Sequence, residues 1–156
     1  MINNFEAYLT NENIYLIANW GVLPFWIMIA AIPNHPITRF FVHSIIVPLL
    51  LAIAYSFIAY KIYLNGNILE VFNLYFGLDN LYVIYSEEVF LLIFWLHFLS
   101  ISLFLGSWMA RDGQKYFMPK SLMFFLLATT YFAGPVGLFF YWFIRIFFAK
   151  KISFND

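Results

Sequence analysis

His97 stands in the stretch WLHFLSISLFLGSW, Trp95 to Trp108, whose other polar side chains are Ser100, Ser102 and Ser107. It lies eight residues after Val89 and thirteen before Ala110, in a run without a formal charge. Ionisable groups at that depth of an apolar segment are costly and usually face a bundle interior or a cavity. Neutral imidazole is the cheapest of them, since burial favours the uncharged ring and it can still donate from one nitrogen and accept at the other. Such a ring can brace a hydroxyl on a neighbouring helix, or it can move a proton as a general acid or base. The residues alone leave both roles open.

Other groups have structural readings of their own. At about 100° per residue, Thr130, Gly134, Gly137, Tyr141 and Arg145 share one helix face. That face reads as a small-residue packing surface, or as a groove for a flat ligand with Tyr141 and Arg145 at its end. Glu87 and Glu88 suit the N-terminus of a helix, where carboxylates complement the dipole, and Asp112 suits a turn in ARDGQK. The three histidines cannot by themselves build a four-histidine iron site, and a mixed site using Glu or Asp, or one shared in an oligomer, stays open. His35 falls in a loop, while His43 and His97 differ in depth by about 10 Å at 1.5 Å per residue. With no cysteine, thiolate metal sites, disulfides and a cysteine nucleophile are all excluded. No metal and no cofactor is expected.

The elements that position these groups follow from composition. Of 156 residues, 64% are hydrophobic and only 10% charged, well below the quarter that coats a soluble domain. Four uncharged runs, Ile14–Pro33, Phe40–Tyr60, Val89–Ala110 and Ser121–Ile144, each reach the roughly 20 residues that cross a bilayer as a helix. They are too long and continuous for the ~10-residue alternating strands of a barrel. The expectation is an all-α, polytopic membrane domain over residues 1–156, with spans at about 14–33, 40–60, 89–110 and 121–148. Asn65–Gly66 predicts a turn. Ile68, Val71, Phe72 and Tyr75 then recur at helical spacing, which predicts an interfacial segment over 66–87. The N-terminus lacks a signal-peptide pattern. A formal net charge of zero gives no reason to expect nucleic acid. The partners expected are the lipid bilayer and an apolar small molecule, and an oligomer is compatible with the sequence.

Two polar stripes divide the third span. His97, Ser100, Phe104, Ser107, Trp108 and Arg111 form one, and Glu88, Trp95, Ser102 and Gly106 gather opposite. A helix with two such stripes is expected to touch neighbours on both sides. Orientation is close to a tie. With four spans, Lys61, Lys150, Lys151 and Arg145 share one side, and Arg39, Arg111, Lys115 and Lys120 share the other. Cytoplasmic loops at Arg39 and at Arg111–Lys120 are the weak preference.

NWGVLPFWIMIAAIP, WLHFLSISLFLGSWMARD and GPVGLFFYWFIR occur in that order and together resemble the neoxanthin-synthase family, known from abscisic-acid-deficient plants, and its bacterial relatives. The likeness covers about residues 14–147. Its matching positions are Pro24, Trp26, Pro33, His97, Gly106, Trp108, Asp112, Gly134, Pro135, Gly137 and Arg145. The family pattern also has an aspartate five residues after the histidine and an arginine between the glycine and tryptophan, where this chain has Ser102 and Ser107. The resemblance implies a carotenoid-modifying protein of a bacterial cytoplasmic membrane. Its chemistry would be redox-neutral, opening an epoxide as a proton leaves carbon. His97, Asp112 and Arg145 would be catalytic, with Trp26, Trp108, Gly134, Gly137 and Tyr141 lining the substrate. Oxidative cleavage of β-carotene to retinal, which needs iron, and a non-catalytic carotenoid-binding or membrane assembly protein are the alternatives.

Overall fold

The computed structural model describes residues 9–64 and 67–151, without the side chains of 67–70. These residues are helical, with no strand among them. The α-helices are α1 (Asn11–Ala31), α2 (Ile46–Leu64), α3 (Leu78–Ser86), α4 (Glu88–Lys115), α5 (Lys120–Phe132) and α6 (Gly134–Ala149). A turn at Pro36–Thr38 and a π-helical segment at Arg39–His43 lead into α2. The segment before the third span is 3-10 helix over Asn67–Phe76, followed by α3. The expected Asn65–Gly66 turn lies outside the described residues, as does the side chain of Ile68.

Among the described residues, three stretches are long and apolar enough to cross a membrane: Asn11–Ala31, Pro36–Leu64 and Glu88–Lys115. Each shows a narrow buried stripe on an apolar rod. Along α1 the stripe is Ile14, Ala18, Val22, Trp26 and Ile29, at the three- and four-residue spacing of one helical face. Off the stripe, Ile17 is 70% exposed and Trp20 64% exposed. So extensive an apolar exterior suits hydrocarbon rather than water.

The chain packs as two compact units, residues 1–21 with 49–100 and residues 22–48 with 101–156. In the first, the Tyr15 and Phe98 rings lie against the Trp95 indole, with centroids 6.2 and 5.4 Å away. The Lys61 ammonium lies 4.7 Å from the Phe57 ring centroid and donates to the Leu9 carbonyl at 3.5 Å.

The second unit departs from the expected architecture. The run expected as a fourth span over 121–148 is two helices of 13 and 16 residues, each short of the roughly 20 that cross a bilayer. They meet at Ala133, whose backbone leaves the helical region (φ −145°, ψ 72°). Pro135 has no N–H to extend the ladder of α5. The break is internally bonded: the Ala133 N–H donates to the Thr129 carbonyl at 2.8 Å, and its carbonyl accepts from Val136 and Gly137 at 2.9 and 3.0 Å. Beyond it the chain folds back. Met123 of α5 faces Gly113 of α4, and Thr130 meets Met109, so α5 runs antiparallel to α4. Tyr141 of α6 meets Trp108, and Arg145 meets Asp112 and Tyr116, so α6 runs parallel to α4. Gly137 rests directly on Thr130, a pair that an unbroken helix would hold about 10 Å apart.

Gly106 marks a second close approach. A Cβ there would lie 2.6 Å from Cη2 of Trp26 and 3.3 Å from Cδ1 of Ile29. Gly106→Ala should therefore destabilise the protein by about 1–3 kcal/mol, the usual cost of overpacking, read as a lower Tm in detergent. The clash is with a ring and not with backbone, so the same substitution in a Trp26→Leu background should cost little. An equal cost in both backgrounds would contradict this packing.

Candidate functional site

His97 belongs to the first unit, on α4, and its ring is exposed. It tilts against the Tyr55 ring at 6.1 Å between centroids. Both line a groove of about 400 Å³, within the range of small-molecule sites. α2 contributes Tyr55, Ala59 and Ile62. The 3-10 stretch contributes Val71, Leu74 and Tyr75, α3 contributes Ile84 and Tyr85, and α4 closes the groove with Phe90, Ile93, Phe94 and His97. Tyr85 is fixed edge-on to Phe94, with centroids 5.2 Å apart. The segment expected to lie along the membrane surface is thus one wall of the groove. Tyr55, Tyr75 and Tyr85 carry its hydroxyls. Helical spacing marked Tyr75 only as part of the interfacial segment, and no spacing joined the three, because they come from three different elements.

A larger groove in the same unit, about 530 Å³, is lined by Asn11, Glu12, Tyr15, Glu88, Leu91, Leu92 and Trp95. Glu12 and Glu88 are exposed carboxylates at helix starts and the groove holds no histidine. The smaller groove is therefore the better candidate for proton chemistry.

Asp112 is not a simple turn residue. Its Oδ2 accepts from the Tyr141 hydroxyl at 2.6 Å and from Arg145 Nε at 2.5 Å, while Oδ1 accepts from Arg145 Nη2 at 3.3 Å. The same Nη2 donates to the Tyr116 hydroxyl at 3.2 Å, and the guanidinium lies 4.9 Å from the Tyr116 ring centroid. Arg145 is 1% exposed and Asp112 13% exposed, so the charges are withdrawn from solvent and joined in a forked pair. The Trp108 indole packs edge-on against Tyr141, with centroids 5.5 Å apart. Four residues singled out in the sequence, Trp108, Asp112, Tyr141 and Arg145, are thus brought together in the second unit. Trp26 stands elsewhere in that unit, on Gly106 and edge-on to Tyr131. Gly134 and Gly137 are buried where α5 and α6 meet. His97 shares its groove with none of these residues.

The two polar stripes of α4 are used unequally. Ser102 and Gly106 are buried, whereas His97, Phe104 and Arg111 are exposed. Small side chains admit close neighbours, so the serine–glycine side became the packing face. Ser107 is buried as well, and its hydroxyl meets Nδ1 of His43 at 2.8 Å. Nε2 of His43 lies 3.1 Å from the Pro33 carbonyl, which can only accept. In the neutral ring Nε2 therefore carries the proton and Nδ1 accepts from Ser107. A bracing histidine is thus present, and it is His43. Among the described residues, no three His, Asp or Glu side chains are grouped so as to hold a metal ion.

Comparison with curated proteins and with solved structures finds no match. The sequence model of the ABA DEFICIENT 4-like family matches residues 13–141, from the first turn of α1 into α6, and takes in His97, Trp108, Asp112 and Tyr141. With most of its length covered in this way, the chain belongs to the ABA DEFICIENT 4-like family.

Proposed function

We propose that the protein is a neoxanthin-synthase-like, carotenoid-modifying enzyme of the membrane, and that the groove containing His97 receives one end of its substrate. The observation that carries this reading is the setting of His97: an exposed imidazole, beside Tyr55, in a groove otherwise built of aliphatic and aromatic side chains. Such walls favour an apolar, partly unsaturated ligand, and the volume admits a ring with a short length of chain. The remainder of an elongated molecule would lie in lipid.

The proposed reaction is an isomerisation. A proton leaves the polyene carbon next to the epoxide and goes to one nitrogen of His97. The electron pair left behind opens the epoxide, and the alkoxide takes a proton from the imidazolium, either directly or through the Tyr55 hydroxyl, which gives its proton to the alkoxide and recovers one from His97. Nothing is oxidised or reduced, and the enzyme returns to its starting protonation. Asp112 and Arg145 act as positioning residues in this reading, because their polar atoms are engaged with each other and with Tyr116 and Tyr141. Trp108 and Tyr141 support that pair, while Trp26, Gly134 and Gly137 set helix approach. The second reading is pigment binding without chemistry. It is favoured by Ser102, buried on α4 where the family pattern has an aspartate.

Chromatography of pigments from cells making β-carotene, zeaxanthin or violaxanthin separates the two readings. A new pigment that falls by about 100-fold or more in His97→Ala, the usual cost of losing an acid–base group, supports catalysis. Unchanged pigment that co-purifies with the protein supports binding alone. No change and no bound pigment with any of the three would overturn both.

A further inference from the structure

We infer that α5 and α6 form a re-entrant hairpin, entering and leaving the membrane at one face, and that this face rests on the anionic headgroups of the cytoplasmic leaflet. The inference goes beyond the proposed chemistry and does not depend on it. Its first support is the register against α4. Passing from Met123 to Thr130, α5 moves from Gly113 back to Met109; passing from Tyr141 to Arg145, α6 moves forward from Trp108 to Tyr116. The chain after α6 is back at the end of α4, because the Lys151 ammonium lies 6.0 Å from the Tyr116 ring centroid and that of Lys115 lies 5.7 Å away. A fourth crossing would carry these residues apart.

At about 1.5 Å per residue, α5 reaches roughly 20 Å, less than the ~30 Å hydrocarbon core. Irregular backbone at that depth is tolerated where its polar groups are bonded, and the Ala133 N–H and carbonyl both are. Thr130, Gly134 and Gly137 are buried on the inner side, while Phe132, Pro135 and Val136 face outward. The outer faces of the hairpin carry exposed phenylalanines, among them Phe125, Phe132, Phe139 and Phe147, as lipid contact requires.

The second support is charge. Folding back places Lys150 and Lys151 with Arg111, Lys115 and Lys120. Pro33 and Lys120 line one small cavity, which brings the loop bearing Arg39 to the same end. Apart from the Asp112–Arg145 pair, the described residues of the second unit hold six cations and no carboxylate. The near tie of a four-span count becomes a one-sided excess, which marks a cytoplasmic face and is attracted to acidic lipids.

The chain has no cysteine, so single cysteines can be placed cleanly. Phe117→Cys and Lys120→Cys report the loop before α5, and Lys150→Cys reports the end of α6; all three positions are exposed. With a membrane-impermeant maleimide, all three should stay unlabelled in intact cells and label in inverted vesicles. Labelling of Lys150→Cys from the face opposite the two loop cysteines would show a fourth crossing and overturn the hairpin. Labelling of all three from outside would overturn the leaflet assignment.

Discussion

Asp112→Ala should cost the protein about 3–5 kcal/mol of stability, the usual result of removing one partner from a buried ion pair, with a fall in Tm on the order of 10 °C in detergent. The reason is the charge left behind. Arg145 is 1% exposed, and Asp112 accepts two of its donors. Without the carboxylate, the guanidinium loses its charge partner and keeps the Tyr116 hydroxyl and ring beside it. Tyr141→Phe removes one hydrogen bond to Asp112 and should cost only about 1–2 kcal/mol. Replacing both charged residues, Asp112→Leu with Arg145→Leu, leaves no orphaned charge and should recover most of the loss. The double variant also assigns the role of the pair. A stable variant that still forms product supports a positioning function, whereas a stable variant without product would move proton transfer to Asp112.

Gly137→Ala should be the other severe substitution. A Cβ at that position would fall on Oγ1 of Thr130 and 2.5 Å from the Thr130 backbone nitrogen and Cα. Overpacking typically costs about 1–3 kcal/mol when side chains can give way. Here two of the three nearest atoms are backbone, so the junction of α5 and α6 must open, and the cost should reach or exceed that range. Thr130→Ala should not rescue it, because the obstructing backbone remains. Gly113→Ala is the useful contrast: its Cβ would meet only the flexible side chain of Met123, 2.6 Å from Sδ, which can move aside. Tm values in the order Gly137→Ala, then Gly106→Ala, then Gly113→Ala, lowest first, are expected. A mild Gly137→Ala, or rescue by Thr130→Ala, would contradict the tight fold-back.

What could be read in advance from residue pattern divides along physical lines. Apolar length is a property of continuous sequence, so the three long helices were legible. The helix-face arithmetic placed Gly134, Gly137, Tyr141 and Arg145 together, and these are the buried residues of α6. The same arithmetic put Thr130 on that face of one helix. It is in fact the surface of α5 onto which α6 folds. Periodicity carries through a Gly-Pro break on paper, whereas a chain lacking a ladder hydrogen bond there is free to reverse. On the inferred hairpin, Lys150 and Lys151 also move to the other end in the charge count.

The sites divide in the same way. His97 was visible as a charge-capable group within hydrocarbon, but its groove was not, because four elements supply the walls. Asp112 and Arg145 are 33 residues apart and belong to different helices, so no local spacing announced their pairing. Trp26 was expected to line a substrate; its ring seats α1 on Gly106 and also lines a small apolar groove of about 140 Å³ with Leu127 and Tyr131. Of two candidate histidines, the one near the membrane surface was bonded through both nitrogens, and the deeper one was left facing a groove.

The central claim, that the His97 groove performs proton chemistry on a carotenoid, is tested most directly by comparing pigment extracts of cells expressing the wild-type chain and His97→Ala at matched protein levels. A new pigment is expected, isomeric with its precursor and therefore unchanged in mass, that is lost in the variant. A product of different mass, or an isomer formed equally well without His97, would contradict it.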